Sequence, residues 1–286
     1  MSENIAFLFD NAANRATLLT ASSEEVNMPV ANLLMDERYS IFRSLTPVTS
    51  ITIDITLNAT EETAINCVGI LDHNLTDIGT IQVQCWTDSI AGSNEVVNET
   101  ISPWDGFYGY GGSYYGSAGY GGLPLSRIRL SHQLFSYLSL NDYFEGAINL
   151  YWRITLTDIS LSYIEASRVY IGHIFQPEWN FSYGSSFTKT QNSQLKVSKK
   201  GLEFSTKIKE ARLFDCVLSF LDNADRDALL VAHTLYGYTE PFFCIPRHTD
   251  DAESILFAGY YRFKSFNLTK SNPLNSRIQL ALKEVL

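Results

Sequence analysis

The chain has 286 residues, 45% of them hydrophobic and 13% aromatic but only 18% charged, with a net charge of −10. A charged fraction below the roughly 25% of ordinary soluble domains, beside an ordinary apolar fraction, excludes a disordered chain and a coiled coil. The excess of acid argues against phosphate-backbone binding over the whole surface, and the one basic run, Lys196 to Lys200, is too short to change that.

The start, Met-Ser-Glu-Asn, lacks a positive segment before an apolar one, and no run approaches the roughly 18 to 20 apolar residues of a spanning helix. The expectation is a cytosolically made chain without membrane insertion, long enough for one large or two medium domains.

Strict alternation is the strongest local signal. In Ser50 to Leu57, Ile51, Ile53, Ile55 and Leu57 face one way while Thr52, Asp54 and Thr56 face the other, which predicts a half-buried strand. The same period of two recurs in Ile81/Val83/Cys85, Ile128/Leu130, Leu150/Trp152/Ile154/Leu156 and Ile278/Leu280/Leu282, and another strand ends at Phe175 after Arg168. Short strands between polar turns predict a mainly β protein built of antiparallel sandwiches.

Between them, Trp104 to Gly122 is nearly all glycine, aromatic and serine, so it reads as a loop. Its Trp104, Tyr108, Tyr110, Tyr114, Tyr115 and Tyr120 offer large amphipathic contact area, suited to a neighbouring subunit or to stacking on sugar. A weaker helix is expected around Ser131 to Leu140. The firm helix is about 223–236: Asp222-Asn223 can cap it, Ala228, Leu229, Ala232, Leu235 and Tyr236 fall at helical spacings, and Gly237 closes it. The polar, aromatic stretch after Phe175 predicts a boundary near residue 177, giving domains 1–176 and 177–286.

Catalytic signatures are missing. There is no Gly-X-Ser-X-Gly elbow and no phosphate loop, and His73, His132, His173, His233 and His248 are dispersed, reading as surface or interface residues. Asp105 and Asp158 adjoin aromatic-rich regions but read as turn residues bonding to backbone. Cys67, Cys85, Cys216 and Cys244 fit no zinc spacing and read as reduced, buried thiols, a Cys67 to Cys85 bridge being the most plausible exception. The expectation is a non-enzyme without cofactor or metal.

Thr17 to Leu34, followed by Asp36, Arg38 and Phe42-Arg-Ser44, resembles the opening of discoidin-like (galactose-binding-like) jelly-roll domains. Val68 to Thr76 with Thr80 to Trp86 resembles the strand pair that follows in that fold, and Tyr151 to Asp158 with Ile164 to Phe175 its closing strands. The wording of these segments, over roughly residues 10 to 185, is similar to structural proteins encoded among the tail genes of tailed bacteriophages and prophages. The remainder, through Phe214 to Phe220 and Arg277 to Val285, resembles the small C-terminal β-rich domain often found with them.

The resemblance implies an N-terminal discoidin-like jelly-roll β-sandwich and a smaller C-terminal β-rich domain with one helix. It implies a non-enzymatic structural component of a virion tail, tail tip or baseplate, made in the host cytoplasm, whose partners are other tail proteins and copies of itself, with no nucleic acid. The alternative is a carbohydrate- or receptor-binding module of the tail that uses the Gly/Tyr loop on a host-surface glycan. A glycan-degrading enzyme with a discoidin-like accessory domain fails on length. The chain departs from sugar-binding relatives in having Phe42 where a Trp is usual, no disulfide near the ends of this domain and no matched set of ligand residues. A calcium site near Asn32 to Asp36, built from backbone oxygens and an acid, stays open at this point.

Overall fold

A computed structural model of the chain describes residues 4–37, 39–57, 65–103, 135–144, 150–182, 184–190, 194–197, 203–206, 211–246, 257–270 and 276–285. The chain divides into two compact units, Met1–Gln176 with Phe243–Gly259, and Pro177–Phe242 with Tyr260–Leu286.

In chain order the strands of the first segment are β1 (Ala6–Leu8), β2 (Ala16–Ala21), β3 (Phe42–Arg43), β4 (Ser50–Leu57), β5 (Ile65–Leu71), β6 (Thr80–Trp86), β7 (Glu95–Ile101), β8 (Phe135–Phe144), β9 (Tyr151–Thr157), β10 (Glu165–Ala166) and β11 (Arg168–Gly172). They are followed by β12 (Ser186–Thr190), β13 (Gln194–Val197), β14 (Glu203–Thr206), β15 (Ala211–Leu221), helix α1 (Asn223–Tyr236), β16 (Phe242–Ile245), β17 (Gly259–Lys270) and β18 (Ser276–Glu284). The fold is mainly β, and among the described residues no helix is long and apolar enough to cross a membrane.

In the first unit a five-stranded antiparallel sheet runs β2-β4-β9-β6-β7, and a three-stranded one runs β11-β5-β8. Alternation does what the sequence implied: Ile51, Ile53, Ile55, Val83, Trp152, Ile154 and Leu156 of the first sheet meet Val68, Ile70, Val169 and Ile171 of the second in one core. Each such side chain stabilises the fold by about 1.5–3 kcal/mol on leaving water. The two sheets make a sandwich.

The smaller sheet is apolar on its other side too. Gly69 leaves room there for the Phe135 ring, which a Cβ at that position would meet at 2.5 Å. Phe135 stacks on Phe243 at 4.6 Å, and Tyr170 meets Phe243 edge-on at 5.3 Å. Residues 243–245 pair antiparallel with β1, Leu8 lying across from Phe243. This packing is why 243–259 groups with the first unit, a contribution that a division into two contiguous segments leaves out.

The helix expected around Ser131 to Leu140 is corrected. Phe135–Phe144 is a strand, with Phe135 across from Leu71 and Leu138 across from Val68. Cross-strand pairing outweighs a weak helical spacing, because propensity yields to tertiary context. The expected strand at Ile128/Leu130 and the rest of that helix lie outside the described residues.

In the second unit β12, β15, β18 and β17 are neighbours in that order in an antiparallel sheet. Helix α1 follows β15 as the sequence predicts. The Asp222 carboxylate accepts from the Asp225 N–H at 2.7 Å, and Gly237, at φ +54, donates its N–H to the His233 carbonyl. Leu229 and Ala232 are buried, and His233 stacks on Phe266 at 4.4 Å. Inside this unit Arg212 and Glu284 form a buried pair, with the Arg212 N–H, Nε and a guanidinium NH2 all donating to the carboxylate.

Candidate functional site

The Gly/Tyr loop and its Trp104, Tyr108, Tyr110, Tyr114, Tyr115 and Tyr120 lie outside the described residues, as do Asp105, His132 and His248. Two other surfaces of the first unit are described in full.

The first is the outer face of the five-stranded sheet. Because successive side chains alternate, the polar half of each strand lines up across the sheet. One row reads Thr20, Asp54, Arg153, Gln84 and Asn98 across β2, β4, β9, β6 and β7. The row beside it reads Thr52, Thr155, Gln82 and Thr100, and on its other side lie Thr56, Tyr151, Trp86 and Glu95.

Arg153 organises this face. Its Nε and one NH2 donate to the two Asp54 carboxylate oxygens at 2.7 and 2.9 Å, a bidentate pair, and its guanidinium lies 5.9 Å from the centre of the Trp86 ring. The hydrogen bond that Arg153 donates to Asp54 raises the Arg153 pKa above its ordinary value, outweighing the lowering effect of burial. Gln82 donates to the Asn98 side chain at 2.9 Å and Gln84 to Glu95 at 2.8 Å. Asp54, Gln82, Gln84 and Arg153 are half-buried, Glu95 and Asn98 are exposed, and Trp86 is buried.

The second surface is the end of the sandwich where β4 begins and β9 ends. Asp158, only 1% exposed, accepts from the N–H and hydroxyl of Thr76 and from the N–H and hydroxyl of Ser160. Asn74 accepts from the Glu165 N–H and donates to the Tyr163 carbonyl, and the Ser44 hydroxyl accepts from the Ile164 N–H. Asp158 is thus the turn residue the sequence implied. On this bonded framework sit exposed apolar side chains: Val26 at 91%, Ile159 at 78%, Ile78 at 57% and Leu45 at 53%.

The open calcium question is answered by Arg168. Its buried guanidinium donates to the Met35 carbonyl and to Asn14 Oδ1, and lies 2.6 Å from Asp36 Oδ1. A guanidinium therefore takes the carbonyl and the acid that a cation would use, so these residues do not fit the ion. Among the described residues no group of three His, Cys, Asp or Glu is placed to hold a metal.

His73 is corrected from a surface residue to a buried one. Its Nε2 lies 2.8 Å from Ser136 Oγ, and that hydroxyl donates to the Pro103 carbonyl at 2.7 Å. The serine proton is committed to the carbonyl, so Nε2 is the donor of the pair and does not serve the serine as a base. The four cysteines are buried and in no disulfide, with Cys67 on β5 and Cys85 on β6 in different sheets.

What the sequence missed is Arg153 as the centre of a polar face. The alternation placed Thr52, Asp54 and Thr56 outward, but which strands lie beside β4 follows from long-range pairing that no local pattern encodes.

No family model matches the chain, and no curated protein matches it. Among solved structures, chitosan-binding module 1 from a chitosanase/glucanase of Paenibacillus sp. IK-5 is 15% identical, over 57% of this chain and 99% of the module, with a TM-score of 0.35. A truncated AlyQ with CBM32 and alginate lyase domains is 14% identical, over 87% of this chain and 55% of its own, with a TM-score of 0.33. The tail of an empty GTA particle is 14% identical, over 40% of this chain and 82% of that one, with a TM-score of 0.26. At these values the likenesses assign neither a ligand nor an assembly.

Proposed function

We propose that the chain is a non-enzymatic recognition protein that binds a carbohydrate on the outer face of its five-stranded sheet. The observation that carries this reading is the row Thr20, Asp54, Arg153, Gln84 and Asn98, set beside the half-buried Tyr151. A sugar presents vicinal hydroxyls around an apolar ring face. Amides, hydroxyls and a carboxylate answer the hydroxyls, and the Tyr151 ring answers the ring face. Asp54 is held by Arg153 through both oxygens, an arrangement suited to orienting a ligand and ill suited to proton transfer. A glycan array probed with the full chain tests this. Specific retention supports it, with loss in Gln84→Ala and Arg153→Met variants that keep the wild-type circular dichroism. Absence of any retained glycan, or retention that both variants share, overturns it.

A second reading is the structural component of a tailed-phage virion that the sequence resemblance implies. Its specific support is the exposed Val26, Leu45, Ile78 and Ile159 on hydrogen-bonded loops at one end of the sandwich, an aliphatic surface suited to a protein partner. Paired Val26→Ser and Ile159→Ser substitutions that leave the monomer folded are expected to block incorporation into particles. Normal incorporation would overturn this reading.

A further inference from the structure

We propose that the outer edge of β2 pairs with β2 of a second copy of the chain, joining two five-stranded sheets into one. Strand β2 ends its sheet, and the hydrogen bonds around it fix which of its backbone groups are in use. The Ser22 N–H donates to the Thr52 carbonyl and the Ser22 hydroxyl accepts from the Thr52 N–H, so Ser22 bonds toward β4. Bonding direction alternates along a strand, so Thr20 and Leu18, across from Asp54 and Thr56, bond toward β4 as well. On the far side of β4 the Leu57 N–H donates to the Leu150 carbonyl, which gives the same alternation: odd-numbered residues of β4 serve β9 and even-numbered ones serve β2. The N–H and C=O groups of Leu19 and Ala21 therefore point away from the sheet. They have no partner among the described residues, which leaves four strong polar groups in a row for solvent or a further strand.

The two edges of this sheet are built differently. At the other edge β7 carries Glu95 and Glu99, and Glu99, exposed, lies across from the core residue Val83. A charge set on the core side of an edge strand spoils pairing with a further strand. Strand β2 reads Ala-Thr-Leu-Leu-Thr-Ala, without charge, proline or glycine, and its one irregularity lies at its start, between Ala16 and Leu18. The stretch from Leu18 to Ala21 is regular, and Leu18 is exposed on the outer face.

This edge is complementary to itself. One antiparallel register uses all four outward groups: Leu19 opposite the partner's Ala21, Ala21 opposite the partner's Leu19, and Thr20 facing the partner's Thr20 across a two-fold axis. No unpaired charge beside the strand opposes this, although the chain carries a net charge of −10. Arg15 before the strand donates to Asp10, and beyond it Glu24 accepts the Val30 N–H and Glu25 lies 3.8 Å from Arg43. The row Asn98, Gln84, Arg153, Asp54 and Thr20 then runs on across the axis into its own copy. The two Arg153 residues come to lie five strand spacings, about 24 Å, apart. A ligand of that face is then met by two sites at once, while the pairing itself does not depend on the ligand.

Analytical ultracentrifugation and cysteine cross-linking of the full chain test the proposal. The expected result is a concentration-dependent dimer that Thr20→Lys and Ala21→Pro, each with the wild-type circular dichroism, shift to monomer. Thr20→Lys sets like charges face to face across the axis, and Ala21→Pro removes an outward N–H without taking a bond from β4. Thr20→Cys is expected to give a covalent dimer on oxidation, because facing residues of such a pair bring their Cα atoms to about 4.5 Å, within disulfide reach. The native thiols are buried and do not compete. Leu18→Cys, on the same face, should give none, since the register sets it opposite the partner's Ser22. A monomer at every concentration, a dimer that either substitution leaves intact, no cross-link through Thr20→Cys, or an equal one through Leu18→Cys would overturn the proposal.

Discussion

The Asp158 carboxylate receives both the backbone N–H of Thr76, at 2.6 Å, and its hydroxyl, at 2.7 Å, tying the loop before β6 to the loop after β9. With two more bonds from Ser160, one buried acid holds together the loops at that end of the sandwich. Burial pushes the Asp158 carboxyl up, and the hydrogen bonds from Ser160 and Thr76 together outweigh it, leaving the pKa below its ordinary value.

The sign of the pH dependence follows. A depressed folded-state pKa contributes stability that is present above the unfolded value, about 3.9, and is lost as the pH falls through the folded one. Thermal melts between pH 7 and pH 2 are expected to show this loss below about pH 4, and Asp158→Ala to cost about 2–4 kcal/mol at pH 7 while flattening that part of the profile. A variant as stable as wild type would contradict the role.

Arg212 and Glu284 are 4% and 3% exposed, so removing either partner leaves the other charged and buried. Arg212→Met is expected to destabilise by about 3–5 kcal/mol in urea unfolding. The double variant Arg212→Met with Glu284→Leu should recover much of that loss, because no uncompensated charge remains. The recovery should be incomplete, since the Arg212 N–H also donates to Glu284.

The thiols are expected to be inert. Burial pushes Cys67 up, Cys85 up to about 12, and Cys216 up to about 12 with added repulsion from Asp215. Thiolate, the reactive form, is then scarce at neutral pH. Native protein should resist alkylation at pH 8 and incorporate four labels only after unfolding. Rapid native labelling, or fewer than four labels after unfolding, would contradict this.

Local patterns carried the elements that depend on local physics. The alternation of Ile51, Ile53 and Ile55 gave β4 and its buried face, and Asp222 with Gly237 marked both ends of α1. Where long-range partners decide, the sequence was silent. Phe135 becomes a strand residue because Leu71 lies across from it, and Phe243 joins the first unit because Phe135 and Tyr170 pack on it. Arg153 and Asp54 are separated by 99 positions, so their pairing is legible only once β4 and β9 are neighbours. The same holds for Arg168, whose contact with Asp36 removes a cation site that the loop alone left open.

The most direct test of the carbohydrate-binding reading is an amide chemical-shift titration of the labelled full chain with a glycan retained on the array. Binding on the sheet face predicts that the largest shifts fall on β4, β9, β6 and β7, centred on Asp54, Arg153, Gln84 and Asn98, and that they vanish in Gln84→Ala. Shifts confined to residues off that sheet, or none at glycan concentrations that saturate the array signal, would contradict it.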